Sequence, residues 1–460
     1  MPFFIRGKRA GEKKRKKFQP KGNKSNSEVT TKKPRKDDMD DEITSEEDEE
    51  YLKGKQTDDP VEEEDEEETA QEKKVRLAKQ YLKELQEQKA GEDSGVDEDE
   101  SIGQHLREEV LEAAGKLNKP IADTLKQPEA ESLRILKCKQ QKLPITCVVI
   151  SPDDKFIFSA SKDCSIVKYN FITGTKVGIL PGGLKGTEES HIGHTSHIYA
   201  LAISSDGKFL ASGDKAGHIN VWNAETLGYL KRFKKHRAAI SGLAFRRSTH
   251  TLYSGSHDRM VMVWNLDALA FVENLGGHQD AITGIDALMR ESCITCGGRD
   301  QSVIVYVIVE DKQLRFTGHQ NSIDGVKLIN DKAFITFGQD GSLCLWSTIK
   351  KRPHFILKEC HGLQQNSEAN WVTAVATFVN SDLIASGSMD GFVRLWKIDC
   401  QHYRFIEPLF AVPVKGVVNS LAFSEDGKHL VVGVGQEHKL GRWYTDKSAK
   451  NNVCIIPLKI

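Results

Sequence analysis

A chain of 460 residues carries 65 Lys and Arg against 66 Asp and Glu, a formal net charge of −1, with 38% hydrophobic residues. The balance is segregated: residues 1–36 sum to +12, 37–68 to −17, and 132–460 to +9. No apolar run approaches the ~18 residues of a membrane helix, and the start MPFFIRGKRAGEKKRKK lacks the apolar core and cleavage site of a secretory signal, so the expectation is a soluble intracellular protein.

In chain order, the first two blocks bury too little apolar surface to offset chain entropy, and 1–67 is expected to be a disordered basic, then acidic, tail. Lys13, Lys14, Arg15, Lys16 and Lys17, with Lys32, Lys33, Arg35 and Lys36, are similar to a bipartite nuclear import signal. Ser45 precedes five acidic residues and is a candidate phosphosite for an acidophilic kinase. ETAQEKKVRLAKQYLKEL then predicts a helix over 68–89, with Val75, Ala78, Leu82 and Leu85 on one face and Leu77 and Tyr81 widening the stripe. An isolated helix of about 20 residues is marginal in water, so this stripe, Tyr81 included, is expected to dock on a partner. REEVLEAAGKL, 107–117, predicts a second, weaker helix, and 68–131 is read as a helical arm and linker.

From residue 132 the chain repeats itself. His194, His236, His278, His319 and His361 recur at spacings of 42, 42, 41 and 42, each followed by three short alternating runs that close on an aromatic. The closing residues read as Tyr169, Trp222, Trp264, Tyr306, Trp346, Trp396 and Trp443. These units resemble the WD-repeat family over 132–460. The resemblance implies an all-β, seven-bladed propeller. Cys138 and Lys139 stand where the first unit should have Gly-His, Ala216 where the second should have Asp, and the seventh shows no turn Asp, so blades one, two and seven are expected to be less regular. SLRILK, 132–137, is placed to supply the outer strand of the seventh blade, with VCIIPL, 453–458, as the alternative closer.

His236, Ser254 and Asp258 mimic a nucleophilic triad. In the family, a His, strand Ser, turn Asp and Trp form a buried structural network, and the recurrence of these types from unit to unit favours that role for His236, Ser254, Asp258 and Trp264. No phosphate loop, paired-carboxylate cleft or metal cluster stands out, and neither catalysis, a cofactor, a membrane nor a small-molecule substrate is expected. The nine cysteines read as reduced, packed thiols, the lone CxxC of Cys293 and Cys296 included.

Propeller topology sorts the basic residues by face. With the Gly-His and turn-Asp loops lie Lys234, Lys235, Arg237, Arg259, Arg299, His438, Lys439 and Arg442; on the opposite face lie Arg246, Arg247 and His250, with Lys350, Lys351 and Arg352. These are the candidate RNA contacts, since Lys offers a point charge and Arg a planar fork for phosphate. The order of basic tail, acidic run, ETAQEKKVRLAKQYL, REEVLEAAGKL, LAFRRSTH, KKRP, GQEHKLGRWY and NNVCIIPL resembles the WD-repeat proteins of the U3 small nucleolar ribonucleoprotein. That resemblance implies a nucleolar, non-catalytic component that binds U3 RNA at its box B/C region beside the kink-turn-binding protein and other box C/D proteins. It further implies a role with small-subunit processome proteins in pre-18S RNA processing. The competing expectation is a peptide-binding propeller, as in a chromatin reader or a ubiquitin-ligase receptor.

Overall fold

Short runs that alternate small and β-branched residues cannot bury both faces alone, and here they stack into seven four-stranded antiparallel sheets. A computed structural model describes residues 76, 106, 107, 110, 111, 118–128, 133–136, 139–187, 191–364, 367–400 and 402–459. The import segments, Ser45 and the docking stripe of Val75, Ala78, Tyr81, Leu82 and Leu85 lie outside the described residues. Arg76 is helical and exposed, as are Arg107, Val110 and Leu111 of the second expected helix.

Blades one to six each take four consecutive strands; blade three, for example, is Ile240–Phe245, Thr251–Ser256, Val261–Asn265 and Ala270–Leu275. Its middle strands are buried on both faces because neighbouring blades cover them, whereas the outer strand alternates exposed and half-buried. Each apolar core bridges two blades: Phe233 and Val221 of blade two pack with Ile240, Leu252 and Trp264 of blade three. No blade is therefore a folding unit by itself.

The seventh blade closes the ring. Val417–Phe423, His429–Gly435 and Asn452–Pro457 form its first three strands, and Arg134–Leu136 adds the outer one in register Arg134↔Ile455 and Leu136↔Val453. Arg134–Leu136, inside the segment 132–137 expected to add the outer strand, thus does so, and Asn452–Pro457, which overlaps the alternative closer 453–458, is the third strand. This corrects the place of Trp443, which closes no strand; it is 57% exposed in the 436–451 loop. The reason is packing: Val453, Cys454, Ile455 and Ile456 fill both faces of an interior strand, which the charged, glycine-containing HKLGRWYTDK cannot do.

Residues 118–128, upstream of the first strand, lie along blades six and seven. The Ile121 and Ala122 amides donate to Asp382 Oδ1 at 2.8 and 3.0 Å, Leu125 enters the core of that junction, and Lys126 bridges to Lys459. The strap therefore reinforces the blades where the ring closes.

Candidate nucleic-acid interface

Five blades carry the same buried network. In blade three the His236 ring contacts Asp258 Oδ2 at 2.8 Å and Ser254 Oγ at 2.7 Å, and Trp264 Nε1 donates to that same oxygen at 2.9 Å. The imidazole is fully covered and both its nitrogens are engaged, so the quartet ties strands together rather than meeting solvent. Blades five and six repeat it through His319 and His361 with Asp340 and Asp390, while blade four keeps the His278 contacts to Asp300 and Thr295 with Tyr306 in the tryptophan's place. Blade two, expected to be irregular for want of an Asp at 216, restores it from two positions upstream: Asp214 Oδ2 meets His194 Nδ1 at 3.0 Å. In blade one, Gln141 takes the histidine's place, accepting from Ser159 and donating to its carbonyl.

The first strands of all seven blades line a central channel of about 610 Å³. The eight described cysteines are all free, and Cys293 and Cys296 are buried, the latter beside the Thr283 hydroxyl. Burial pushes the Cys296 thiol up to about 12.

The cationic candidates separate by environment. Arg246, Arg247 and His250 already hold carboxylates: Arg246 contacts Glu291 at 2.5 Å, Arg247 contacts Glu425 at 3.4 Å, and His250 sits between Asp206 (2.8 Å) and Asp267. His438 is buried and Lys439 turns into the channel. Lys234, Arg237, Arg259 and Arg299 on one face, and Lys350, Lys351 and Arg352 on the other, are exposed with no ion pair among the described residues. Lys235 lies over the Phe271 ring.

Both nitrogens of His250 face carboxylates, which requires the doubly protonated ring. Burial is the largest single influence and opposes that charge, but the hydrogen bonds to Asp206 and Asp267 and the charges of the two carboxylates together outweigh it and raise its pKa above the ordinary value. Asp206 belongs to blade two, so the clamp joins two blades. A raised histidine pKa stabilises fully below the ordinary value and loses that contribution as pH climbs through the raised one. Exchanging His250 for Gln should therefore lower the melting midpoint at pH 6 and leave it nearly unchanged at pH 9, as thermal unfolding at the two pH values would register.

Sequence reasoning missed an aromatic cluster on the face of Lys234 and Arg237. Trp443 stands 6.0 Å from Trp371 and 5.3 Å from His438, ring centre to ring centre, with Leu440 and Tyr444 also exposed. Two tryptophans 72 positions apart leave no periodic trace, and reading Trp443 as the closing aromatic of the seventh unit hides the cluster.

Seven four-stranded blades with recurrent His–Asp–Ser/Thr networks define a WD40-repeat β-propeller, and the family described as WD domain, G-beta repeat matches residues 130–170, 186–223, 228–265, 311–347 and 358–397. Mouse U3 small nucleolar RNA-interacting protein 2 is 53% identical over 395 residues, spanning 85% of this chain and 82% of that protein, and its human counterpart is 52% identical over the same length. The chain belongs to the family of U3 small nucleolar RNA-interacting protein 2. A solved structure, the WD40 repeats of RRP9, superposes with a TM-score of 0.70 at 48% identity, covering 73% of this chain and all of that one.

Proposed function

We propose that this protein is a non-catalytic component of the U3 box C/D small nucleolar ribonucleoprotein. In this reading it binds U3 small nucleolar RNA at the box B/C region beside the kink-turn-binding protein and acts with small-subunit processome proteins in pre-18S RNA processing in the nucleolus. The observation that carries the reading is the 53% identity to a protein named for its interaction with that RNA, extending over 85% of the chain. The +9 body beyond residue 131 suits an anionic partner, and the stripe of 68–89 is assigned to docking on neighbouring particle proteins. Immunoprecipitation from cells followed by sequencing of bound RNA tests it: U3 RNA should dominate, and its absence would refute the assignment.

Phosphate contacts release counterions, so each one lost lowers the salt dependence of binding by about one unit of slope. Replacing Lys234 and Arg237 together by Ala should reduce that slope by up to about two, because both cations are exposed and share a face with Arg259 and Arg299. The same change at Lys350, Lys351 and Arg352 should reduce it less, as that face lacks the aromatic cluster. Arg246 and Arg247, already paired with Glu291 and Glu425, should cost stability more than slope when replaced. Titrations of U3 RNA at several salt concentrations decide among these sets.

A further inference from the structure

The hairpins that join the third and fourth strands of blades five and six stand side by side on the face opposite Lys234 and Arg237. In blade five the tip runs from Thr348 to Arg352, between Leu343–Ser347 and Phe355–Leu357. In blade six it runs from Asp399 to Phe405, between Phe392–Ile398 and Ile406–Pro413. Both tips are held. The Thr348 amide donates to the Lys332 carbonyl at 2.8 Å and that of Lys350 to the Ser347 carbonyl at 3.3 Å. Pro353, next after the tip, and Trp346 stand 3.0 and 2.8 Å from where a Cβ on Gly318 would lie. In blade six, Asp399 accepts from the amides of His402 at 3.1 Å and Arg404 at 3.4 Å. Tyr403 locks the two tips together: its ring meets His354 edge-on at 6.1 Å between centres, and its hydroxyl accepts from Asn330 Nδ2 at 3.2 Å.

The side chains on this ridge are of two kinds. Lys350, Lys351, Arg352 and Arg404 are exposed with no ion pair among the described residues, and the one acid of the two tips, Asp399, is turned to its own backbone. Beside them Ile349 is 83% exposed and Phe405 38%. Cations without counter-charges call for an acidic ligand. Ile349 decides which kind: an aliphatic side chain offers RNA neither a stacking face nor a hydrogen bond, and its surface leaves water only against another apolar group. An acidic protein segment with an aliphatic side chain answers both features, and tips already held in place bind it at little ordering cost.

We infer that the ridge of Ile349, Lys350, Lys351, Arg352 and Arg404 docks an acidic protein segment that carries an aliphatic side chain. The propeller then acts as an adaptor, with protein on this face and the face of Lys234 and Arg237 left to RNA. The adaptor role rests on the RNA-binding reading above; the ridge itself does not.

The test uses the full chain and, as probe, a fluorescently labelled peptide of glutamates around one central leucine, followed by anisotropy. Replacing Lys350, Lys351 and Arg352 together by Glu should weaken binding roughly ten- to a hundred-fold. Ile349→Ser should weaken it roughly ten-fold with the salt dependence unchanged, and should make no difference to a peptide whose leucine is replaced by glycine. Melting midpoints should match that of the unaltered chain, because the altered side chains are exposed. Equal affinity of the triple variant and the unaltered chain would overturn the ridge. So would an Ile349→Ser effect that is absent, or equal for the two peptides, since the cations would then hold any polyanion. If the triple change instead cut the salt slope of U3 RNA binding by about three, the ridge would belong to RNA and the inference would fall. A chain that bound the probe but no U3 RNA would keep the ridge and remove the function proposal.

Discussion

Replacing Asp214 by Ala will destabilise the propeller by about 3–5 kcal/mol, the cost of breaking a buried charged network. Its side chain is 1% exposed and holds His194 Nδ1 at 3.0 Å, His218 Nδ1 at 3.5 Å, and the amides of Ala216 and His218 at 2.9 Å each. Burial works against the ionised carboxyl, but the hydrogen bonds from His194 and His218 outweigh it and hold its pKa well below the ordinary value. Removing the carboxylate strands several buried donors at once. The arrangement also predicts a rescue. Blade three has Ser256 at the strand end and Asp258 two residues on, so Asp214→Ser combined with Ala216→Asp rebuilds that pattern in blade two and should recover most of the loss. Denaturant unfolding of the single and double variants measures both effects; a double variant no better than the single would show that the two turns do not share a geometry.

The second large effect concerns the ring of first strands. In six blades a register shift bulges one residue: Thr146, Tyr199, Ser241, Thr283, Asp324 and Asn419. Several of these side chains bond the next blade: Ser241 donates to the Ile282 carbonyl at 2.5 Å, Thr283 to that of Ile323 at 2.8 Å, and Asn419 to that of Ile145 at 2.9 Å. In blade six Thr373 does the same to Val418. An ionised Asp324 has no proton to donate, so the junction of blades five and six lacks this stitch. It faces the channel among Thr283, His257 and Lys439. Burial pushes its carboxyl up to about 7; Lys439 and His319 oppose the shift, and Asp340 adds to it. A carboxyl raised in the folded state stabilises below its ordinary pKa and progressively destabilises as pH climbs toward the raised one. Asp324→Thr should therefore raise stability at pH 8 by up to about 4 kcal/mol, a gain of roughly 5 °C in melting midpoint, and bring little at pH 4. Calorimetric scans at both pH values check it; a gain of the same size at pH 4 would mean that ionisation is not the cause.

Much of this molecule was legible before any coordinates. The 42-residue recurrence of histidines announced the blades, and the residue types around His236 announced the network, because each blade solves the same packing problem with the same side chains. Ser132–Lys137 could be placed as the outer strand because a ring must close and an edge strand tolerates half-exposed residues such as Ile135. The cationic loops were also visible, since loop charge is a local property.

Other features emerged only when distant segments met. Asp214 substitutes for a missing Asp at 216, which one unit's text cannot reveal, because the carboxylate is defined by its reach to His194 and not by its place in the repeat. Arg246, Arg247 and His250 read as free cations until the fold brought Glu291, Glu425, Asp206 and Asp267 to them from other loops. Trp443 counted as a core aromatic until Asn452–Pro457 took the strand it was assigned to. Periodicity therefore determined the architecture, which depends on which side chains recur. Pairing of charges, exposure of the lone indole and the gap at Asp324 were decided by the tertiary structure, because each depends on groups that share no neighbourhood along the chain.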